Sequence, residues 1–121
     1  KLAFIDVEFF NNGNQPVYWQ LSIGQAISGT TAFNDVNTTY SATEYNILGT
    51  LSGSPAIILD EGFVTASGGA KGSLNTTVTA RYPITLDVAG AHRALGTITL
   101  SATSISGTQS CYGTIKFREV R

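Results

Sequence analysis

From Leu74 to Val88 every second residue is apolar or aromatic apart from Thr76: Leu74, Val78, Ala80, Tyr82, Ile84, Leu86 and Val88. Asn75, Thr77, Thr79, Arg81, Pro83, Thr85 and Asp87 lie between them. A repeat of two is the side-chain period of a β-strand, whose successive residues face opposite sides of the sheet. The run therefore predicts a long half-buried strand, or two strands joined at a bend. Pro83 has no N–H for a ladder, so it marks a sheet edge or a switch between sheets.

Val17, Trp19, Leu21 and Ile23 alternate in the same way, with Tyr18, Gln20 and Ser22 opposite. Trp19 shares the apolar face and belongs to the core. Ahead of it, Asn11-Asn12-Gly13-Asn14 offers residues that tolerate left-handed backbone, which predicts a tight turn, and Pro16 presets the start of the strand. Further strands are expected at Tyr45–Leu51, Ala56–Leu59, Phe63–Ala66, Leu95–Ala102 and Tyr112–Val120. Turn clusters such as Ser52-Gly53-Ser54-Pro55, Ser67-Gly68-Gly69 and Ser106-Gly107-Thr108 lie between them. No window shows a helical period with caps. The reading is one all-β domain spanning residues 1–121, an antiparallel β-sandwich or jelly roll.

Composition agrees with that class. Leu, Ile, Val and Phe number 32 of 121 residues, enough to bury a core. Charged residues make up 12% of the chain, against the ~25% usual in soluble domains. Ser and Thr, 27 together, replace them, and Thr suits a half-exposed strand through its stiff branched Cβ and its hydroxyl. A net charge of −1 argues against nucleic acid as a partner, which needs a basic footprint. No apolar run is long enough for membrane insertion as a helix. The single cysteine, Cys111, cannot form an internal disulfide. The lack of methionine suggests a processed chain. With the sequons at Asn37 and Asn75, candidate N-glycosylation sites, this points to an extracellular or cell-surface location.

The first ten residues behave differently. Ala3, Ile5, Val7 and Phe9 fall on one face, and Leu2, Phe4 and Phe10 on the other. A strand apolar on both faces needs cover on both sides. Either it is the first strand of its own domain, or it completes the groove of a neighbouring molecule as a donor strand. Leu2, Phe4, Ile5, Val7, Phe9 and Phe10 are accordingly the candidate assembly residues.

Catalytic patterns are missing. His92 and Cys111 are too few for a zinc site, and as a Cys–His pair they read more simply as a turn histidine and a strand cysteine. Gly49-Thr50-Leu51-Ser52-Gly53 has its serine in the wrong place for a nucleophile elbow. Gly68-Gly69-Ala70-Lys71-Gly72-Ser73 lacks the spacing and following helix of a phosphate loop. Asp60-Glu61 reads as a solvated turn. Asn34, Asp35 and Asn37 offer oxygens to calcium without the repeating acidic ligands of an EF-hand. Tyr18, Tyr40, Tyr45 and Tyr112 are candidate surface rings with no spacing that makes a row. The expectation is a non-enzyme with no metal and no cofactor.

At Phe9-Phe10-Asn11-Asn12-Gly13-Asn14-Gln15-Pro16-Val17-Tyr18 the chain resembles the amino-terminal part of the TasA and camelysin group, which includes archaeal bundling pilins. This chain is short for that group. The resemblance implies an exported, disulfide-poor jelly-roll subunit that polymerises with itself by donating a terminal strand, and it brings no catalytic residues. The leading expectation is thus a structural subunit of an extracellular filament, pilus or surface coat. The alternatives are a lectin-like module that binds a glycan or cell surface, and a viral coat or tail protein.

Overall fold

The computed structural model describes residues 2–29, 33–40, 44–47, 49–64, 72–84 and 97–119. They form ten strands, all paired antiparallel, and no helix occurs among them. The all-β class read from the alternation is the class of the structure.

Two three-stranded sheets carry the fold. In one, β1 (Leu2–Asn11) lies between β10 (Cys111–Glu119) and β8 (Gly72–Ile84). In the other, β2 (Val17–Ile23) lies between β7 (Ile57–Val64) and β9 (Ile98–Ser104). Two small ribbons are separate pairings: β3 (Ala26–Gly29) with β6 (Gly49–Ser52), and β4 (Asn34–Asp35) with β5 (Glu44–Tyr45).

The alternation of β2 becomes a buried row: Val17, Trp19, Leu21 and Ile23 are all fully or almost fully buried. Val7 and Phe9 of β1 meet Val17, Trp19 and Leu21 in one cluster with Val64, and Leu59, Ile98, Leu100, Cys111 and Ile115 pack around it. The two sheets therefore share a single core. Burying each such Val, Leu or Ile contributes about 1.5–3 kcal/mol. Gly113 lets the layers close at one side. A Cβ there would come within 2.8 Å of Leu100 Cδ2 and 3.6 Å of Phe9 Cδ2, so a larger residue would push the sheets apart.

Several local expectations change. The strands expected at Ala56–Leu59 and Phe63–Ala66 join, over the described residues, in one strand, β7, and Asp60-Glu61 is its middle rather than a turn; residues 65 and 66 lie outside the described residues. Its register against β2 shifts between Leu21 and Ser22, so Leu59 and Asp60 together oppose Leu21. Such a bulge inserts one extra residue without breaking the pairing. It turns Leu59 toward the core while Glu61 stays exposed. The stretch from Tyr45 to Leu51 is divided between β5 and β6 instead of forming one strand. Pro83 lies on β8, an edge strand of its sheet, as a residue without an N–H requires. Residues 85–88 of the long alternating run, and His92, lie outside the described residues, as do Lys1 and residues 67–71 of the two glycine clusters.

Candidate functional site

The expected assembly strand, β1, occupies the centre of its own sheet. It pairs with β10 from Leu2↔Glu119 to Asn11↔Cys111, and with β8 from Leu2↔Ile84 to Asn11↔Gly72. Both pairings slip near its start, after Leu2. Of the candidate residues, Val7 and Phe9 point into the core, at 0% and 4% exposure. Phe10 lies on the outer face, half-buried, with its ring 6.3 Å from that of Tyr112. The side chains of Leu2, Phe4 and Ile5 are outside what is described. The outer face at β1 is not wholly apolar, because Asp6 and Glu8 lie on it and Lys116 Nζ donates to Glu8 Oε1 at 2.7 Å.

The connection from β1 to β2 crosses from one sheet to the other rather than making a hairpin. No non-glycine residue among those described has a positive φ, and Gly13 does not have one either. The left-handed turn expected at Asn11–Asn14 is replaced by side-chain bonding. Asn11, fully buried, accepts from Gly13 N at 2.9 Å and donates through Nδ2 to Gln15 O at 2.7 Å. The second crossing, residues 105–110 between β9 and β10, lies against the first. Gln109 Oε1 accepts from Asn14 N at 3.1 Å and Gln15 N at 3.4 Å, and Nε2 donates to Ser106 O at 3.1 Å. Asn12 N donates to Ser110 O at 2.9 Å. A Cβ built on Gly13 would fall on the Gln109 carboxamide, which explains the glycine. Asn11 and Gln109 thus clasp the two crossings. Nothing in the sequence pairs two amides so far apart; the only local signal was an Asn placed where a strand ends.

A second surface lies on the outer face of the β7-β2-β9 sheet. Tyr18 faces Phe63 across the strands, ring centroids 5.5 Å apart and tilted by 59°. The Tyr18 hydroxyl donates to the Glu61 carboxylate and accepts from Gln20 Nε2 at 3.2 Å. The bond to Glu61 raises the phenol above its ordinary 10.0, with desolvation adding to the effect and the Gln20 bond opposing it. Phe63 is 63% exposed. Sequence spacing missed this pair because it depends on the register of β2 against β7.

The remaining candidates are dispersed. Asn37 is exposed, and its Oδ1 accepts from Thr39 N at 2.9 Å and Tyr40 N at 2.8 Å, so the sequon side chain caps a turn. Asn75 stands in β8 opposite Glu8. Cys111 is half-buried against the core, and desolvation raises its thiol above 9.0. Among the described residues no three His, Cys, Asp or Glu side chains group as metal ligands, and no helix is long and apolar enough to cross a membrane. Compared with family models, curated proteins and solved structures, the chain shows no match.

Proposed function

We propose that this chain is a structural subunit of an extracellular filament, pilus or surface coat, assembled by β-strand complementation between copies. One observation carries the reading: among the described residues, β8 and β10 each pair only with β1. Withdrawing β1 would leave two strands separated by two strand spacings, about 9.5 Å, with an open ladder on each. Only another extended segment fills such a slot, and it must bring apolar side chains at the positions of Val7 and Phe9. A second copy of β1 meets that requirement by construction. The low charge of the chain weakens repulsion between neighbours.

The test uses the full chain in a Cys111→Ala background. Glu8 and Thr114 face each other directly across β1 and β10, so the pair Glu8→Cys with Thr114→Cys reports who supplies β1. A donated strand gives a ladder of covalent multimers under mild oxidation, with filaments under negative stain. A product that stays an internally crosslinked monomer at every concentration, without filaments, overturns the proposal.

A second reading, a carbohydrate-binding module, is favoured by the Tyr18–Phe63 surface. Exposed rings stack on the C–H faces of sugars, and Glu61 and Gln20 beside them supply a carboxylate and an amide for hydroxyl groups. A glycan array reads it out: binding lost on Phe63→Ala supports it, and an array without a hit removes it.

A further inference from the structure

Among the described residues the two large sheets have four outer edges, and three of them carry features that discourage a further strand. β7 has its bulge and the carboxylates Asp60 and Glu61. β8 contains Arg81 and Pro83 and slips in register against β1. β10 bears Lys116, Arg118 and Glu119. Charges, proline and bulges are the devices by which natural sheets protect their edges. β9, Ile98-Thr99-Leu100-Ser101-Ala102-Thr103-Ser104, has none of them. Its pairing with β2 runs unbroken from Val17↔Ser104 to Ile23↔Ile98, and among the described residues β2 is its only partner.

The direction of its free backbone groups follows from two bonds that bracket the strand. Gly24 N donates to Thr97 O at 3.1 Å, and Ile105 N donates to Pro16 O at 3.3 Å. Antiparallel pairing alternates, so odd-numbered residues of β9 bond toward β2. The N–H and C=O groups of Ile98, Leu100, Ala102 and Ser104 therefore point away from β2, to the side on which no described residue pairs with β9.

We infer that a second copy of this chain adds to β9 through its own β9, antiparallel and about a two-fold axis at Ser101, joining two three-stranded sheets into one. The register of fullest overlap sets Ile98 against Ser104 and Leu100 against Ala102 of the other copy, all with backbone groups aimed across the gap. Thr99 then faces Thr103, and Ser101 faces its own counterpart. Hydroxyl pairs of this kind stabilise antiparallel neighbours, and no like charges meet because the strand has no charge. An isologous contact of this sort is self-complementary and closed. It also sets Ala102, exposed in the single chain, beside Leu100 of the other copy. The inference rests on the reading of the chain as a self-assembling subunit and gives that assembly a lateral contact distinct from β1.

The experiment again uses the full chain in a Cys111→Ala background. Ser101 sits in a non-hydrogen-bonded pair in this register, where Cβ atoms lie about 4.5–5.5 Å apart, close enough for a disulfide to form with a small adjustment. Ser101→Cys should give a covalent dimer under mild oxidation. Thr103→Cys alone should not, whereas a mixture of Thr99→Cys and Thr103→Cys chains should. In the otherwise native chain, Ser101→Lys should weaken self-association at least tenfold by sedimentation equilibrium with an unchanged circular dichroism spectrum. The serine hydroxyl makes only a long 3.4 Å bond to Gln20 O, so its loss spares the fold. Equal crosslinking by Ser101→Cys and Thr103→Cys, or an unchanged mass on Ser101→Lys, overturns the inference. A ladder from Glu8→Cys with Thr114→Cys but no Ser101→Cys dimer removes β9 and leaves strand donation standing; the reverse result keeps β9 and removes donation.

Discussion

β1 and β2 hold equivalent places, each at the centre of a three-stranded antiparallel sheet and each supplying the core on which the other sheet packs. They differ in how they are held. β2 keeps one register against β9 along its whole length, and its outer face carries a hydrogen-bonded set, Tyr18, Gln20 and Glu61. β1 slips against both neighbours near its start, and its link to β2 is a five-residue crossing, residues 12–16, fixed by side-chain amides. Moving either strand undoes two ladders and part of the shared core; what sets β1 apart is the slip near its start and the side-chain clasp on its link to β2.

The comparison breaks most visibly in the core. Trp19→Ala and Phe9→Ala should each cost about 3–5 kcal/mol, measured by urea unfolding. The distinction between them is concentration dependence. If β1 is exchanged between copies, the Phe9→Ala deficit shrinks or grows with protein concentration, because assembly adds to the stability of the folded state. Trp19 sits in β2, which that exchange leaves in place, so its deficit should be the same at every concentration at which the variant is monomeric.

Opening the clasp is the next largest effect. Asn11→Ala leaves the Gly13 N–H and Gln15 carbonyl without their partner, at a cost of about 1–3 kcal/mol. Gln109→Ala should cost about 1 kcal/mol, since its bonds are exposed. Both should speed the appearance of covalent multimers in the Glu8→Cys with Thr114→Cys chain if β1 is donated, because both lower the barrier to extending residues 12–16. Gly13→Ala should act in the same direction by displacing the Gln109 carboxamide.

The contrast between the strands also explains what could be read from the sequence. β2 was legible to its end residues because apolar and polar side chains alternate along it, and that alternation carries the register even though Ser22 on the polar face is buried too. β1 was legible as a strand, and β10 and β8 flank it within its sheet without covering its faces. Asp6 and Glu8 nevertheless give its outer face a polar half that counting apolar residues overlooked. Asp60-Glu61 misled because adjacent carboxylates suggest a turn, while a bulge lets one strand carry both. The Asn11–Gln109 clasp and the Tyr18–Phe63 pair depend on distant segments meeting, which no local period encodes. The β9 edge sits in the same category, since its lack of charge means something only once the other three edges are known.

Ser22 tests the polar side of β2. Tyr18 and Gln20 on that face have partners, but Ser22 is buried and its hydroxyl has none among the described residues. Ser22→Ala removes a desolvated group that returns no bond, so stability should rise by about 1 kcal/mol. A loss of that size in urea unfolding would mean that the hydroxyl is satisfied in solution.

The smallest effect distinguishes the two outer faces by pH. Glu8 on β1 holds the Lys116 ammonium of β10 through a hydrogen bond and charge attraction, with Asp6 adding to it, and the lysine is raised above its ordinary 10.5. The folded chain therefore binds that proton more tightly than the unfolded chain. The stabilisation is complete below the unfolded value and is lost as pH rises through the folded one. Comparing wild type with Lys116→Gln, the gap in unfolding midpoint should be constant between pH 7 and 9. It should close above pH 10.5 and shrink with added salt, because both side chains are exposed and screened. The Tyr18–Gln20 bond on the other sheet should show no such salt dependence, because it joins two neutral groups. A Lys116→Gln gap that persists unchanged at high pH and high salt would mean that the stem of Lys116 packs on β1, and that its charge contributes nothing to holding the strand.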